Sequence, residues 1–230
     1  MWLGYYFMIP LSVFLYKGYL MPKMRNRILL LLGLGGLQGA IGWWMVKSGL
    51  NEKPDYQSRP RVSPYRLATH LTMATALYSG LIWNAFTLLI KPTVVDPSDV
   101  SKLKYIKNIR VLSIVLIHCL IFNIITGAFV AGIDAGKVYN TWPLMNGQWI
   151  PSGLSEKKPY WKNHTENLTM VQFNHRNMAY VTMSVSYLLL HRIFKAKIGG
   201  PATVAGLLAV LMVNYQAFSG IITLLQMVPK

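Results

Sequence analysis

Two histidines, His70 and His175, stand inside long apolar runs, and each has an arginine close by: Arg66 one helical turn before His70, Arg176 directly after His175. An ionisable group at membrane depth is costly to keep there, so it marks a functional site unless a neighbour accounts for it. On a helix the face of His175 continues through Met178, Ala179, Thr182 and Ser186, a narrow strip of mostly small side chains. The face of His70 continues through Met73, Ala74 and Leu77. Small residues let a flat macrocycle lie against helix backbone. Imidazoles on facing helices of a bundle can hold haem iron, and arginines at the rim can pair with haem propionates. The competing reading is a histidine that hydrogen-bonds a neighbouring helix and nothing more.

The remaining candidates carry less. His118 lies roughly 140° around its helix from the polar Asn123, at about 100° per residue, and reads as a packing or hydrogen-bonding residue. His191, beside Arg192, falls at the end of an apolar run where it can snorkel, and His164 falls in a polar loop. A single cysteine, Cys119, can form neither an internal disulfide nor a thiolate metal cage. Asn163-His164-Thr165 and Asn167-Leu168-Thr169 fit the glycosylation pattern, which matters only if their face is the secretory lumen. No phosphate loop, serine–histidine–acid arrangement or carboxylate pair is visible.

The elements that must position the histidines follow from composition. The 230 residues are 53% apolar and only 13% charged, with mean hydropathy +0.35. That is about half the charge of a soluble domain, and it disfavours a disordered chain or a water-soluble enzyme. Six runs reach the roughly 20 apolar residues of a membrane helix: Trp2 to Leu20, Ile28 to Val46, Leu67 to Ile90, Val111 to Ile133, Met170 to Ile193 and Ala202 to Val228. The fold class is all-α, a polytopic membrane protein. Pro10 is expected to kink the first run.

Orientation follows from the basic residues, 23 Lys and Arg against 7 Asp and Glu. Lys17, Lys23, Arg25, Arg27, Lys91, Lys102, Lys104, Lys107, Arg110, Arg192, Lys195 and Lys197 flank one set of loops, with only Asp96 and Asp99 against them. Glu52, Asp55, Asp134, Glu156 and Glu166 fall in the other set. The basic set is the inner face, cytoplasm or matrix. Trp43, Trp44, Trp142, Trp149 and Trp161 gather at the outer boundary as an interfacial belt. The net charge of +16 then reflects topology and contact with anionic lipid, and no nucleic-acid partner is implied. The loop 134–169, rich in Trp and Pro, is expected to fold as a cap over the outer helix ends.

A weak repeat runs through the chain. Gln38 and Gly42 in the second run recur as Gln216 and Gly220 in the sixth, and both helices enter from the same face. Shifting His175 back by that offset lands just before Met1, and shifting His70 forward lands past Lys230. Each half of the repeat would then own two histidines. The expectation is a chain missing a helix or more at each end.

Four longer motifs carry a resemblance. Gly42 to Leu50 (GWWMVKSGL), Arg61 to Leu71 (RVSPYRLATHL), Thr126 to Met145 (TGAFVAGIDAGKVYNTWPLM) and Gln172 to Arg176 (QFNHR) resemble heme A synthase, in order and across essentially the whole chain. The resemblance implies eight membrane helices in two four-helix halves, of which six are present here. Residues 1–91 would be a partial N-terminal half holding the substrate heme O, 92–109 an inner-face linker, and 110–230 a partial C-terminal half holding a heme b cofactor. It implies oxidation of a methyl group of heme O to the formyl group of heme A for cytochrome c oxidase. His70 and His175 would be iron ligands, with Arg66 and Arg176 at the cofactor rims. The family's catalytic acid and first histidine would lie before Met1, and its fourth histidine after Lys230. The absence of outer-loop cysteines points to the mitochondrial-type branch in the inner membrane, served by a ferredoxin-type donor, with the bacterial plasma membrane as the alternative. Heme O synthase, oxidase assembly factors, lipid and a second copy of the chain are the partners this allows. The contrasting function is a di-haem b-type electron carrier, linked to quinone, that leaves its haem unmodified.

Overall fold

The computed structural model describes residues 2–50, 61–90 and 98–226. Lys91, Asp96, Glu52 and Asp55, and the expected end of the sixth run at Val228, lie outside the described residues. Among the described residues there are seven α-helices: α1 (Trp2–Tyr16), α2 (Pro22–Leu50), α3 (Pro64–Leu89), α4 (Val100–Gly132), α5 (Asn163–Glu166), α6 (Leu168–Ala196) and α7 (Gly200–Gln226). All but the one-turn α5 coincide with the six apolar runs. By length and composition α2, α4 and α7 can cross a membrane. The chain is a multi-pass membrane protein. α3 and α6 match them in length, and their apolar character is diluted by Thr, Ser, Asn, His and Arg.

The surface agrees with that reading. A soluble protein of 26.0 kDa exposes about 10,500 Å² by mass scaling. This chain exposes 16291 Å², with Trp83, Leu89 and Phe218 among its exposed large side chains. Apolar surface of this extent needs lipid or another protein segment against it.

Helix ends follow local chemistry. Pro64 opens α3, where its missing N–H costs nothing. Asn167 caps α6, its Oδ1 accepting from the Thr169 N–H at 3.0 Å and the Met170 N–H at 3.3 Å. Lys197 closes α6 in the left-handed region at φ 49°. The Asp99 carboxylate accepts from the Lys102 N–H at 2.9 Å and starts α4 at Val100, well before the expected Val111. Hydropathy sees only the apolar part of this helix, so its basic inner extension through Lys104, Lys107 and Arg110 escaped it. α1 runs unbroken through Pro10.

The helices pack in a row in which α2 lies on α3, α3 on α4, α4 on α6, and α6 on α7; the α4–α6 contact is the most extensive. Leu116 of α4 forms a buried cluster with Leu189 and Ile193 of α6. Thr182 and Ser186 share that α6 face and are fully buried, so the small strip expected to face a macrocycle serves helix contact over this stretch. At the outer end a cleft of about 320 Å³ is lined by Arg61, Val62, Leu67, Gly132, Asp134 and Lys137. At the inner end Asp99, Lys102, Tyr105, Lys195 and Lys197 line another of about 270 Å³. The two clefts lie at opposite ends of the row.

The 134–169 loop folds as a cap. Ala135, Met145, Asn163 and Asn167 are buried in it. Asn163 donates to the carbonyls of Lys157 and Tyr160, both at 2.9 Å, and its Oδ1 accepts from the Lys157 N–H. Both asparagines of the glycosylation patterns are thus committed inside the fold.

Candidate functional site

His70 is the seventh residue of α3 and His175 the eighth of α6, and both helices descend from the cap end. At 1.5 Å per residue they lie roughly 9 and 10.5 Å below their helix starts, a matched depth. Each ring rests on a glycine of the preceding helix in the row. A Cβ at Gly42 of α2 would come 3.0 Å from His70 Cε1, and one at Gly127 of α4 would come 3.0 Å from His175 Cε1. A side chain at either glycine would press on the imidazole, which would have to give by a few tenths of an ångström.

The two rings are held differently. Thr126 Oγ1 lies 3.0 Å from His175 Nδ1 and 3.1 Å from the Asn123 carbonyl oxygen. Gln38 Nε2 donates to the His70 carbonyl at 3.2 Å and lies 3.4 Å from His70 Nε2. His118 turns its Nδ1 to the Ile114 carbonyl of its own helix at 2.8 Å. His164 pairs with Asn174 at the cap and stacks edge-on to Tyr160. The structure therefore sets His70 and His175 apart from the other histidines it pairs.

Both arginines sit at the outer rim. Arg66 donates to the Trp44 carbonyl at 2.7 Å, with its guanidinium 4.6 Å from the Trp44 ring centre. Arg176 donates to the carbonyls of Thr141 and Tyr139, both at 2.9 Å, and Gln172 donates to Tyr139 as well. Arg176 thereby ties α6 to the cap strand that carries Trp142 and Pro143. Outside the spans, Asp134 accepts from Lys137 at 3.0 Å and pairs with Arg61. The Lys137 hydrogen bond holds its carboxyl below the usual carboxylate range; partial burial opposes this and the nearby Arg61 charge adds to it.

A test of fit for a bound cofactor comes from unpaired polar atoms. Among the described residues six buried side-chain atoms have no partner: Gln38 Oε1, His70 Nδ1, Asn84 Oδ1, Asn123 Oδ1, Gln172 Oε1 and Arg176 Nε. Gln38 and His70 lie together, whereas Gln172 and Arg176, near His175 in sequence, are bonded to the cap carbonyls. Each such atom costs about 1–3 kcal/mol when buried unpaired; Arg176 Nε is a donor that a carboxylate would satisfy, while the amide oxygens call for a donor. No group of three or more His, Cys, Asp or Glu converges among the described residues, so these side chains do not cage a bare metal ion. A haem, which brings its own ring nitrogens and carboxylates, fits this donor set: one imidazole at each site and guanidinium at the rim.

The family described as Cytochrome oxidase assembly protein (COX15-CtaA) matches residues 1–230. The chain belongs to that family. It is 42% identical to Heme A synthase COX15 of Arabidopsis thaliana over 99% of this chain and 49% of the relative. It is 38% identical to Heme A synthase of Bradyrhizobium diazoefficiens over 99% of this chain and 59% of the relative. It is also 38% identical to Heme A synthase COX15 of Bos taurus, over 98% and 54%. The chain spans about half the length of the relatives it matches. No solved structure matches it.

The sequence singled out His70, His175, Arg66 and Arg176 but not Thr126, Gly127 and Asn123, which the structure sets beside His175. Gly42 was noticed through the repeat; Gly127 has no such echo. The available signal was a glycine directly after a threonine, inside the Thr126 to Met145 motif and within an apolar helix.

Proposed function

We propose that the chain forms the haem-handling centre of a heme A synthase, in which a methyl group of heme O is oxidised in successive two-electron steps to the formyl group of heme A. The observation that carries it is the pair of imidazoles at matched depth, each seated on a glycine amid unpaired polar atoms, in a chain whose relatives are named for that activity. His70 holds the heme O substrate and His175 a heme b cofactor. Heme b, when bound, supplies a one-electron redox centre. Gly42 and Gly127 fix where each imidazole stands, and the apolar faces around them exclude water and so strengthen polar contacts inside. Arg66 and Arg176 orient carboxylates at the outer rim. No Asp or Glu falls within any of the six longer helices, so these helices offer no carboxylate to take up released protons.

In this reading the six helices are part of an eight-helix pair of bundles, in the mitochondrial inner membrane. The inner-end lysines, Lys102, Lys195 and Lys197, give a basic surface to an acidic ferredoxin-type donor. The test is to express a full-length member of the family, carrying these residues, in membranes supplied with heme O and to extract the pigments. Heme A in the extract is expected. Recovery of unmodified heme O and heme b alone would reject the synthase and favour the electron carrier.

A further inference from the structure

The supports of the two histidines differ in which ring nitrogen they engage. The Thr126 hydroxyl, which has one proton, lies 3.1 Å from Asn123 O, an atom that can only accept, and 3.0 Å from His175 Nδ1, which can do either. Both contacts are hydrogen bonds at the same time only when Thr126 donates to Asn123 O and Nδ1 carries the ring proton and donates to Thr126 Oγ1. A neutral imidazole has one proton, so Nε2 keeps its lone pair. Gly127, the next residue, seats the same ring at Cε1, the atom between the two nitrogens. One turn of α4 therefore sets the position, rotation and tautomer of His175 together.

His70 lacks this arrangement. The Gln38 amide must point its nitrogen at the His70 carbonyl, and the same nitrogen lies 3.4 Å from His70 Nε2. A ligand reaching that Nε2 has to displace the amide, and His70 Nδ1 is buried without an acceptor. The poised imidazole is the one at His175.

We propose that Thr126 is a positioning residue that locks His175 as the Nδ1–H tautomer and presents Nε2 to a resident haem iron. This rests on the reading of His175 as a ligand. The hydrogen bond from Nδ1–H also makes the imidazole a stronger donor, as outer-shell acceptors do for metal-bound histidines.

Two measurements on Thr126→Val and Thr126→Ser test it. The first needs no haem. Nitrogen NMR spectra of histidine-labelled protein in detergent, assigned with His175→Ala, report the tautomer directly. Wild type and Thr126→Ser are expected to show Nδ1–H, and Thr126→Val a shift toward Nε2–H. An Nε2–H wild type, or a Thr126→Val spectrum identical to wild type, would overturn the proposal. Unmoved signals from the other histidines establish that the valine variant is folded. The second is titration with heme b followed by spectroelectrochemistry. Thr126→Val is expected to weaken His175-dependent binding about 10- to 100-fold and raise the midpoint potential, with both restored in Thr126→Ser. Wild-type affinity in Thr126→Val would count against the proposal. Wild-type affinity in His175→Ala would instead overturn the ligand reading beneath it, while the NMR result still decides the tautomer.

Discussion

At the scale of single residues, the site is set by what is absent from two positions. Gly42 and Gly127 each put bare backbone where a methyl group would stand 3.0 Å from an imidazole carbon. Alanine there forces either ring or helix to give by a few tenths of an ångström. Gly127→Ala is expected to shift the haem absorption spectrum and weaken binding while costing only about 1–3 kcal/mol of stability, the usual range for overpacking. Titration of both glycine variants with heme b checks this, and unchanged spectra would show that the seats do not matter. Asn167 is a residue of a different kind. It caps α6 and also donates to Gly153 and Asn163, so its role is folding. Asn167→Ala should lower stability by about 1 kcal/mol through the cap alone, and more through the buried network.

At the scale of elements, α4 is the member that joins the two sites. It packs on α3 and on α6, and its outer end meets Pro64 so closely that a Cβ on Gly132 would stand 2.7 Å from the proline Cβ. Beyond that contact Asp134 bridges Arg61, ahead of α3, and Lys137, in the cap. The folded-state pKa of Asp134 is depressed, so its contribution is present above the unfolded value of about 3.8 and is lost as pH falls through the folded value. The side chain is a third exposed, so the contribution is expected to be at most about 1 kcal/mol. Asp134→Asn keeps the left-handed turn at φ 56° that this position requires. Thermal unfolding in detergent at neutral and at low pH should show a smaller acid loss for Asp134→Asn than for wild type. Equal losses would place the acid sensitivity elsewhere.

At the scale of the whole molecule, the row of helices has a basic end and a capped end. Single cysteines at Ser101 or Lys197 on one end, and at Lys158 on the other, should react with a membrane-impermeant thiol reagent from opposite sides of sealed vesicles. Labelling of both from one side would defeat the assigned topology. Cys119 lies in the middle of α4 and should stay unlabelled from either side.

The sequence by itself determined the class of molecule, the number of long helices, the two depth-matched histidines and the arginines beside them. Those are matters of composition, run length and local spacing, and a helix imposes its geometry on neighbours in the chain without help from outside. It did not disclose that Thr126 serves His175 or that Gln38 serves His70, because those partners are 49 and 32 residues apart. Nor did it show that Thr182 and Ser186 are buried between helices. Such assignments depend on which helix lies against which and at what rotation, a choice made by packing across the row; only the tertiary structure decided it.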